Sequence, residues 1–366
     1  MNSQKNTNND VEVSVIGSGI AGITTAFHLG KKGYKVNLID PKLNSDITNL
    51  SPRNGTEAAL GVIMGNIYKR SKGRAFILRN KSMKLWEEWL VEINQSDSNI
   101  QLEKPLIQLA NSEKEYESMI EISKNKKEFG IEILDKKSIE FWSSIFEKEI
   151  IGGLISHKDG RLNPIKLLKL FMQSLEKMKV KKIGFKVMQI NKNINSKNRN
   201  WQIYLENNKF INQDYIVLCS ALNTQKLLEP LGYKILLEPI LGQVIELENK
   251  NLDLTKWPAI LNYQSINFIH HNANQIIMGA TIECGIEPSL FHKKEMLFMN
   301  NTAPEWIKKA KIKNEWSGIR ARPKNEPAPL LKELEHGLLI NTGHYRNGIL
   351  LAPSCAEWIG YTIDNR

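Results

Sequence analysis

The stretch VEVSVIGSGIAGITTAFHLGKKGYKVNLID, residues 11–40, decides the fold of this chain. Residues 13–16 are mostly β-branched and apolar, which is typical of a strand buried on both faces. The turn GSGIAG follows at residues 17–22, and a helix and a second strand come after it. Glycines in such a turn allow a tight bend, close approach of the backbone to a pyrophosphate and close packing of helix on strand. Asp40 closes the second strand, where a carboxylate can bond ribose hydroxyls, so the stretch predicts a dinucleotide at a helix N-terminus.

Composition is typical of an ordinary globular protein. The 366 residues suffice for about two domains, and 41% hydrophobic residues can fill their cores. No apolar run reaches the roughly eighteen residues that a membrane span needs. Residues 1–9 are polar, so we expect a disordered tail rather than a secretory signal, and a cytoplasmic protein. The cysteines at positions 219, 284 and 355 are widely spaced, which indicates neither a disulfide framework nor a metal site.

The net charge of +11 leaves two interpretations open. A basic surface can bind a polyanion, or it can simply be solvated. Here the lysines are spread among asparagines and isoleucines along the whole chain, which favours the solvated surface. We therefore expect no nucleic-acid partner.

Changes of pattern along the chain predict two interleaved domains of the α/β class. A Rossmann-like domain with a parallel sheet holds the dinucleotide, and a second domain is built on a mostly antiparallel sheet with helices. The predicted limits of the first domain are residues 10–95, 150–228 and 312–366. The second domain takes residues 96–149 and 229–311.

Two helix starts can be predicted from the sequence. Asn163 and Pro164 supply an N-cap and a proline at the first helical position. The last helix is predicted from about Asn347 onward. Pro353 is expected within its first turn or so, where the missing N–H costs little.

Seven short motifs occur in the order and spacing of one protein family. Besides the glycine-rich turn they are ALGV at 59–62, DG at 159–160, PILGQ at 239–243, GATIE at 279–283, WSGIR at 316–320 and GHYRNGILLAP at 343–353. With them the chain resembles, over nearly its whole length, the D-amino acid oxidase superfamily of FAD-dependent amine oxidases. Within it, the chain is most similar to the glycine oxidases of thiamine biosynthesis. The resemblance implies a FAD-binding domain of the glutathione-reductase type and a separate substrate domain.

Carried over position by position, the resemblance implies a set of FAD contacts. The glycine-rich turn would hold the pyrophosphate, Asp40 the ribose, and the backbone of Val187 the adenine edge. Residues 60–62 would lie against the flavin ring, and residues 344–350 would surround its pyrimidine end, where helix N-terminal amides favour negative charge. The expected contacts are Gly17, Gly19, Ile20, Ala21, Gly22, Asp40, Pro41, Leu60, Gly61, Val62, Val187, His344, Tyr345, Arg346, Asn347, Gly348, Ile349 and Leu350.

The resemblance also implies that arginine holds the carboxylate of the substrate, since the guanidinium fork matches a carboxylate. Arg320 and Arg346 occupy the two family-like C-terminal motifs, with Arg322 as a competitor for Arg320. Ser265 and Asn267 stand where glycine oxidases carry a histidine and a tyrosine, so the polar lining of the pocket differs. We expect Arg320, Arg346 and Asn267 at the substrate. No side chain is expected to act as a catalytic group, because the flavin carries the chemistry.

The implied reaction is hydride transfer from the α-carbon of a small amino acid or secondary amine to the flavin. Glycine, sarcosine or a D-amino acid would give an imine, which water hydrolyses to a 2-oxo acid, and dioxygen would take the electrons. Two alternatives stay open. One is an amine or D-amino acid dehydrogenase of the same fold that uses a quinone or a protein as acceptor, and the other is an RNA-associated FAD protein. The oligomeric state is also open, with a homo-oligomer among the options.

Overall fold

The computed structural model describes residues 10–44, 53–94, 99–193, 200–250, 252–272 and 274–366, and the predicted tail at residues 1–9 lies outside them. In these ranges no helix combines the length and the apolar composition of a membrane span. The helices are α1 (Ile20–Lys31), α2 (Arg74–Ile93), α3 (Glu113–Asn125), α4 (Glu140–Phe146), α5 (Pro164–Lys177), α6 (Asn223–Leu228), α7 (Leu290–Leu297), α8 (Glu305–Lys308) and α9 (Gly348–Asp364). The strands are β1 (Glu12–Ile16), β2 (Lys35–Ile39), β3 (Val62–Ile63), β4 (Leu106–Leu109), β5 (Ile131–Leu134), β6 (Gly153–Ser156), β7 (Gly160–Arg161), β8 (Lys181–Ile183), β9 (Val187–Lys192), β10 (Trp201–Leu205), β11 (Phe210–Gln213), β12 (Tyr215–Leu218), β13 (Leu237–Glu248), β14 (Ile260–Tyr263), β15 (Ile266–Asn272), β16 (Gln275–Gly279), β17 (Glu283–Cys284), β18 (Lys311–Pro323), β19 (Leu330–Glu335) and β20 (Leu338–Thr342).

The glycine-rich turn belongs to a parallel sheet. Among the described residues six strands form it, in the order β19-β20-β12-β1-β2-β8, with only the edge strand β19 antiparallel. Val13 and Val15 are fully buried in a cluster with α1, α2, α5 and α9, while Ile16 packs into the opposite layer with the small sheet β9 to β11. Both faces of β1 are therefore covered, which is why its sequence is a continuous apolar run. The predicted α/β class is confirmed.

A second, larger sheet makes up most of the remaining chain. In the described ranges nine strands form it, in the order β17-β13-β16-β15-β14-β4-β6-β5, with β18 paired to β13. Its neighbouring strands are antiparallel except β4 and β14, so the prediction of a mostly antiparallel sheet is confirmed. One face buries Phe268 and Met278 against α4, α7 and α8. The other face carries a separate apolar cluster, against which residues 60–68 pack.

The membership of two strands differs from the predicted domain limits. β6 pairs with β4 and β5, and β18 pairs with β13 from Leu237 opposite Pro323 to Glu248 opposite Lys311. Both strands thus belong to the large sheet, whereas the predicted limits assign residues 150–156 and 312–323 to the dinucleotide domain. The division into domains stays a prediction.

The prediction that Pro353 lies near the first turn of the last helix is wrong. α9 begins at Gly348, so Pro353 falls in the second turn, where its missing N–H leaves the carbonyl of Ile349 without its helical donor. The indole Nε1 of Trp86, a fully buried residue of α2, donates to that carbonyl at 3.1 Å and to the carbonyl of Leu350 at 3.2 Å. A neighbouring helix therefore satisfies the acceptor that the proline leaves open.

Candidate functional site

The turn between β1 and α1 has no room for side chains at two of its glycines. Gly17 has a φ of 111°, and a Cβ there would lie 2.7 Å from the carbonyl oxygen of Cys219 at the end of β12. A Cβ at Gly22 would lie 1.7 Å from the carbonyl oxygen of Gly17. These contacts are with backbone atoms that cannot move aside. The turn is therefore as tight as the sequence predicts.

The N-terminus of α1 opens at this turn. Gly19 is its N-cap and supplies no side chain to the first amides. The amide of Ile20 donates to Oγ1 of Thr56 at 3.0 Å, and the amide of Thr56 donates to Oδ1 of Asn54 at 2.9 Å. A hydroxyl beside the first amides of a helix suits an anion. Thr56 is absent from the residues predicted for the site, because 36 positions of sequence separate it from Ile20.

Asp40 is tied to the glycine-rich turn. Its Oδ2 accepts from the amide of Ser18 at 2.8 Å, and its Oδ1 accepts from the amide of Lys42, in the short 3₁₀ turn that Pro41 begins, at 2.9 Å. A half-buried carboxylate has further lone pairs for hydroxyl donors. Val187 is buried and begins β9, an edge strand of the small sheet. The outer edge of β9 therefore has backbone N–H and C=O groups that can bond a ligand.

Residues 60–62 are held against residues 161 and 162 by close contacts. Gly61 has a φ of 81°, and a Cβ there would lie 1.9 Å from the carbonyl oxygen of Leu162. The amide of Leu162 donates to the carbonyl of Gly61 at 2.9 Å, and Nε of Arg161 donates to the carbonyl of Leu60 at 3.1 Å. Val62 begins β3, which pairs with β7. The chain is thus held on both sides of the position predicted to meet a flavin.

Asp159, from the DG motif, anchors residues 65–67, which come shortly after the segment 60–62. It is fully buried, and its carboxylate accepts from the amides of Gly65 at 2.8 Å, Asn66 at 3.0 Å and Ile67 at 3.0 Å. Burial raises the pKa of Asp159 above its ordinary value, and the amide donors oppose that shift. The buried Nζ of Lys126 donates to the carbonyl of Asn66 at 3.1 Å. The motif therefore fixes a loop.

The loop between β20 and α9 contains the predicted contacts of the flavin pyrimidine end. Tyr345 has a φ of 55°, and its amide donates to the carbonyl of Ala321 at 3.1 Å. His344 is buried, and its Nε2 has no hydrogen-bond partner in the described part of the chain. Burial lowers the pKa of His344 to about 4, so the imidazole is neutral near pH 7. α9 starts directly after Asn347, whose side chain does not cap the helix, and its first amides face this loop.

The guanidinium of Arg320 lies over a glycine of the neighbouring strand. A Cβ at Gly242, on β13, would lie 2.2 Å from Nη2 and 2.5 Å from Nη1 of Arg320. The guanidinium thus occupies the space that a side chain at position 242 would fill. Nη1 donates to the carbonyls of Thr281 at 3.1 Å and Leu241 at 3.3 Å. Burial lowers the pKa of Arg320, and the charge of Arg346 lowers it further.

Arg322 differs from Arg320 in its partner. It forms an ion pair with Glu238 at 2.6 Å, whereas Arg320 forms none with the described acidic residues. The guanidinium of Arg322 is thus already occupied by a carboxylate. The geometry therefore favours Arg320 over its competitor.

Arg346 is exposed and makes no hydrogen bond or ion pair inside the described ranges. Its charge acts on Arg320 and also on Tyr68, whose pKa is raised by burial and lowered in part by Arg79 and Arg346. The guanidinium of Arg79 lies 4.3 Å from the centre of the Tyr68 ring. Arg320, Arg346 and Tyr68 are thus grouped, and Tyr68 is a residue that no sequence motif singled out.

Asn267 and Ser265 lie in different environments. Asn267 is 8% exposed and stands opposite Gly279 in the large sheet, and its Oδ1 accepts from Nδ2 of Asn262 at 3.0 Å. Ser265 is exposed and has a φ of 64° in the turn between β14 and β15. Gly279 precedes Thr281, the carbonyl partner of Arg320, by two residues. The sheet therefore places Asn267 on the side of Arg320.

The residues present fit FAD on three observations. The glycine turn between β1 and α1 is too tight for side chains, the N-termini of two helices, α1 and α9, border the site, and a buried nitrogen of His344 has no partner in the described chain. No group of histidine, cysteine and carboxylate side chains in the described ranges could hold a metal ion. The other predicted FAD contacts are buried or half-buried, namely Ile20, Ala21, Leu60, Val62, Ile349 and Leu350.

Comparisons with known proteins agree with this geometry. Residues 12–362 match the family described as FAD dependent oxidoreductase, DAO. A glycine oxidase of Bacillus licheniformis is 21% identical over 357 residues, covering 95% of this chain and 92% of the relative. Crystal structures of glycine oxidases from Bacillus cereus ATCC 14579 and Geobacillus kaustophilus match with TM-scores of 0.81 and 0.82 at 21% and 19% identity. They cover 97% of this chain and 95% and 94% of theirs, a likeness that concerns the fold.

Proposed function

This chain belongs to the DAO family of FAD dependent oxidoreductases, and from that premise we propose that it oxidises a small amino acid or secondary amine, with dioxygen as the electron acceptor. The names of the relatives support the amine class. The product is an imine, which water hydrolyses to a 2-oxo acid and ammonia or a primary amine.

One observation carries the proposal. The guanidinium of Arg320 is largely buried over Gly242, bonded only to backbone carbonyls among the described residues, and close enough to Arg346 for the two charges to interact. Neither cation forms an ion pair with an acidic side chain of the described ranges, and because Arg346 acts on Arg320 more strongly than the carboxylate of Glu283 does, a local excess of positive charge remains. A substrate carboxylate would neutralise that excess and bind the planar fork of donors.

The residues of the chain mainly orient and desolvate the substrate. FAD, when bound, would supply the acceptor for a hydride from the α-carbon of the amine, and dioxygen, with two protons, would take the two electrons from it as hydrogen peroxide. Arg320 holds the carboxylate, so that the α-carbon is fixed in position. The same positive charge and the low polarity of the site lower the pKa of the substrate ammonium, so the amine binds in its neutral form. The neutral His344 and the N-terminus of α9 would hold the pyrimidine end of the cofactor.

The test is anaerobic mixing of the FAD-loaded protein with glycine, sarcosine and D-alanine while flavin absorbance is recorded. We expect bleaching with at least one of them. Arg320→Met should raise KM by roughly 10- to 100-fold, since each charged hydrogen bond contributes about 1.5–3 kcal/mol. The matched control is Arg322→Met, two residues along the same strand and paired with Glu238, which should react like the parent protein. No bleaching with any amine would refute the proposal.

The acceptor is tested separately after flavin reduction. Oxygen consumption with release of peroxide supports an oxidase. Reoxidation only by quinones or dyes would make the chain a dehydrogenase of the same fold.

A further inference from the structure

A row of carboxamides crosses the large sheet on the side that faces the predicted flavin segment. Gln108 stands opposite Asn262, Asn262 opposite Asn267, and Asn267 opposite Gly279. Residues paired in register project from the same face of a sheet. A Cβ at Gly279 would lie 3.5 Å from Cδ1 of Leu60, so this face meets the segment 60–62. We call Gln108, Asn262 and Asn267 the amide row.

The amide row stands out from its surroundings. Two positions further along the same strands and on the same face, Leu106, Ile260 and Ile269 are buried in an apolar cluster. Polar side chains beside such a cluster lose hydration, which costs free energy unless other partners replace the water. Chain packing alone therefore does not account for three carboxamides in register.

The hydrogen bonds of the row leave donors open. Nδ2 of Asn262 donates to Oδ1 of Asn267, so Nδ2 of Asn267 has no hydrogen-bond partner in the described chain. The side-chain oxygen and nitrogen of Gln108 have no partner there either. None of these atoms is completely enclosed by the protein, so an incoming molecule can reach them. Asn267 itself is only 8% exposed. An amide N–H₂ that is buried in this way calls for an acceptor.

The charge around the row favours an anionic acceptor. Asn267 stands opposite Gly279, which precedes by two residues Thr281, whose carbonyl accepts from Arg320. Arg346, without an acidic partner in the described ranges, interacts with both Arg320 and Tyr68. A molecule whose carboxylate lies on Arg320 would thus extend toward a second set of donors in a positive field.

We propose that the substrate is an amine with two carboxylates, one held by Arg320 and the second by the amide row together with Arg346. This proposal rests on the proposed function for the reaction at the α-carbon, and it adds the substrate class. The second carboxylate lies on the side chain, as in D-aspartate, or on the nitrogen, as in N-carboxymethylglycine.

The experiment compares substrates of equal shape with the FAD-loaded protein. D-aspartate, D-asparagine and D-leucine share a branched outline, and N-carboxymethylglycine has the outline of N-isobutylglycine. We expect kcat/KM for anaerobic flavin reduction to be at least tenfold higher for a dicarboxylate than for its apolar counterpart, and the better of the two dicarboxylates identifies the position of the second group. D-leucine or N-isobutylglycine reacting equally well would overturn the proposal. D-asparagine reacting as well as D-aspartate would overturn the assignment of a carboxylate.

Two variants and one binding measurement separate specificity from folding. Asn267→Leu should lower the ratio of kcat/KM for the dicarboxylate over its apolar counterpart at least tenfold, and Asn267→Asp should lower it further by charge repulsion. An unchanged ratio in both would count against the amide row. Binding to the unmutated protein, followed by the flavin difference spectrum, should be at least tenfold tighter for succinate than for 4-methylpentanoate. Because this measurement needs no turnover, it decides the inference even if no amine reduces the flavin and the proposed function fails.

Discussion

Replacing Gly242 by alanine should disable substrate binding while leaving the fold and the cofactor in place. The new Cβ would lie 2.2 Å from Nη2, 2.5 Å from Nη1 and 2.6 Å from Cζ of Arg320, so it cannot coexist with the guanidinium. These atoms are the end of a flexible side chain, which can swing away, whereas the backbone of β13 can stay paired. The change therefore acts on the position of Arg320 rather than on the sheet.

The expected magnitude follows from the bonds that the displaced guanidinium loses. A charge-assisted hydrogen bond to a carboxylate contributes about 1.5–3 kcal/mol, and about 1.4 kcal/mol corresponds to a factor of ten in affinity. Losing one such bond raises KM roughly 10- to 100-fold, and losing both raises it more. The loss should appear in KM and in kcat/KM for the carboxylate substrate.

The assay is steady-state kinetics on protein whose FAD content and thermal midpoint are measured in parallel. Gly30→Ala is the matched control, because its Cβ would make only ordinary contacts of 3.4 Å with Met178 and Val180. A KM for Gly242→Ala within threefold of the parent value, at equal FAD content, would refute the role given to the Arg320 position. Equal losses of FAD content and activity would indicate that Arg320 binds the cofactor and not the substrate.

Three further predictions concern stability and pH. Trp86→Phe should lower the free energy of unfolding by about 1–3 kcal/mol in urea titrations, because the carbonyl of Ile349 loses its donor, and the added change Pro353→Ala should recover part of it by restoring a backbone N–H; no recovery would argue against this explanation. His344 has a folded pKa of about 4 against 6.5 when unfolded, so its contribution is complete above pH 6.5 and falls as pH drops toward 4, by up to about 3 kcal/mol. His344→Gln should therefore flatten the stability profile between pH 6.5 and 4, and an unchanged slope there would contradict the assignment. Asp159→Ala should cost at least about 3 kcal/mol, because it leaves several buried amides without their acceptor, and a loss below about 1 kcal/mol would show that water replaces the carboxylate.

Features with local causes were predictable from the chain itself. The strand, glycine turn and helix at residues 12–31 follow from an apolar run and from closely spaced glycines, since a Cβ at Gly22 would meet the carbonyl oxygen of Gly17, five residues earlier. The start of α5 was equally predictable, because Oδ1 of Asn163 accepts from the amides of Ile165 and Lys166, only two and three residues ahead. Such interactions form within one turn of chain, so spacing is enough to predict them.

Partner choice across the sheets was decided by the tertiary structure alone. Arg320 and Arg322 look alike in sequence, yet Arg322 meets Glu238, 84 positions away, while Arg320 lies over Gly242 and reaches Thr281, 39 positions away. The same holds for the donor from Trp86 to Ile349, across 263 positions. The register of distant strands and the packing of separate helices set these pairs, and a local pattern carries no information about register between segments that meet only after folding.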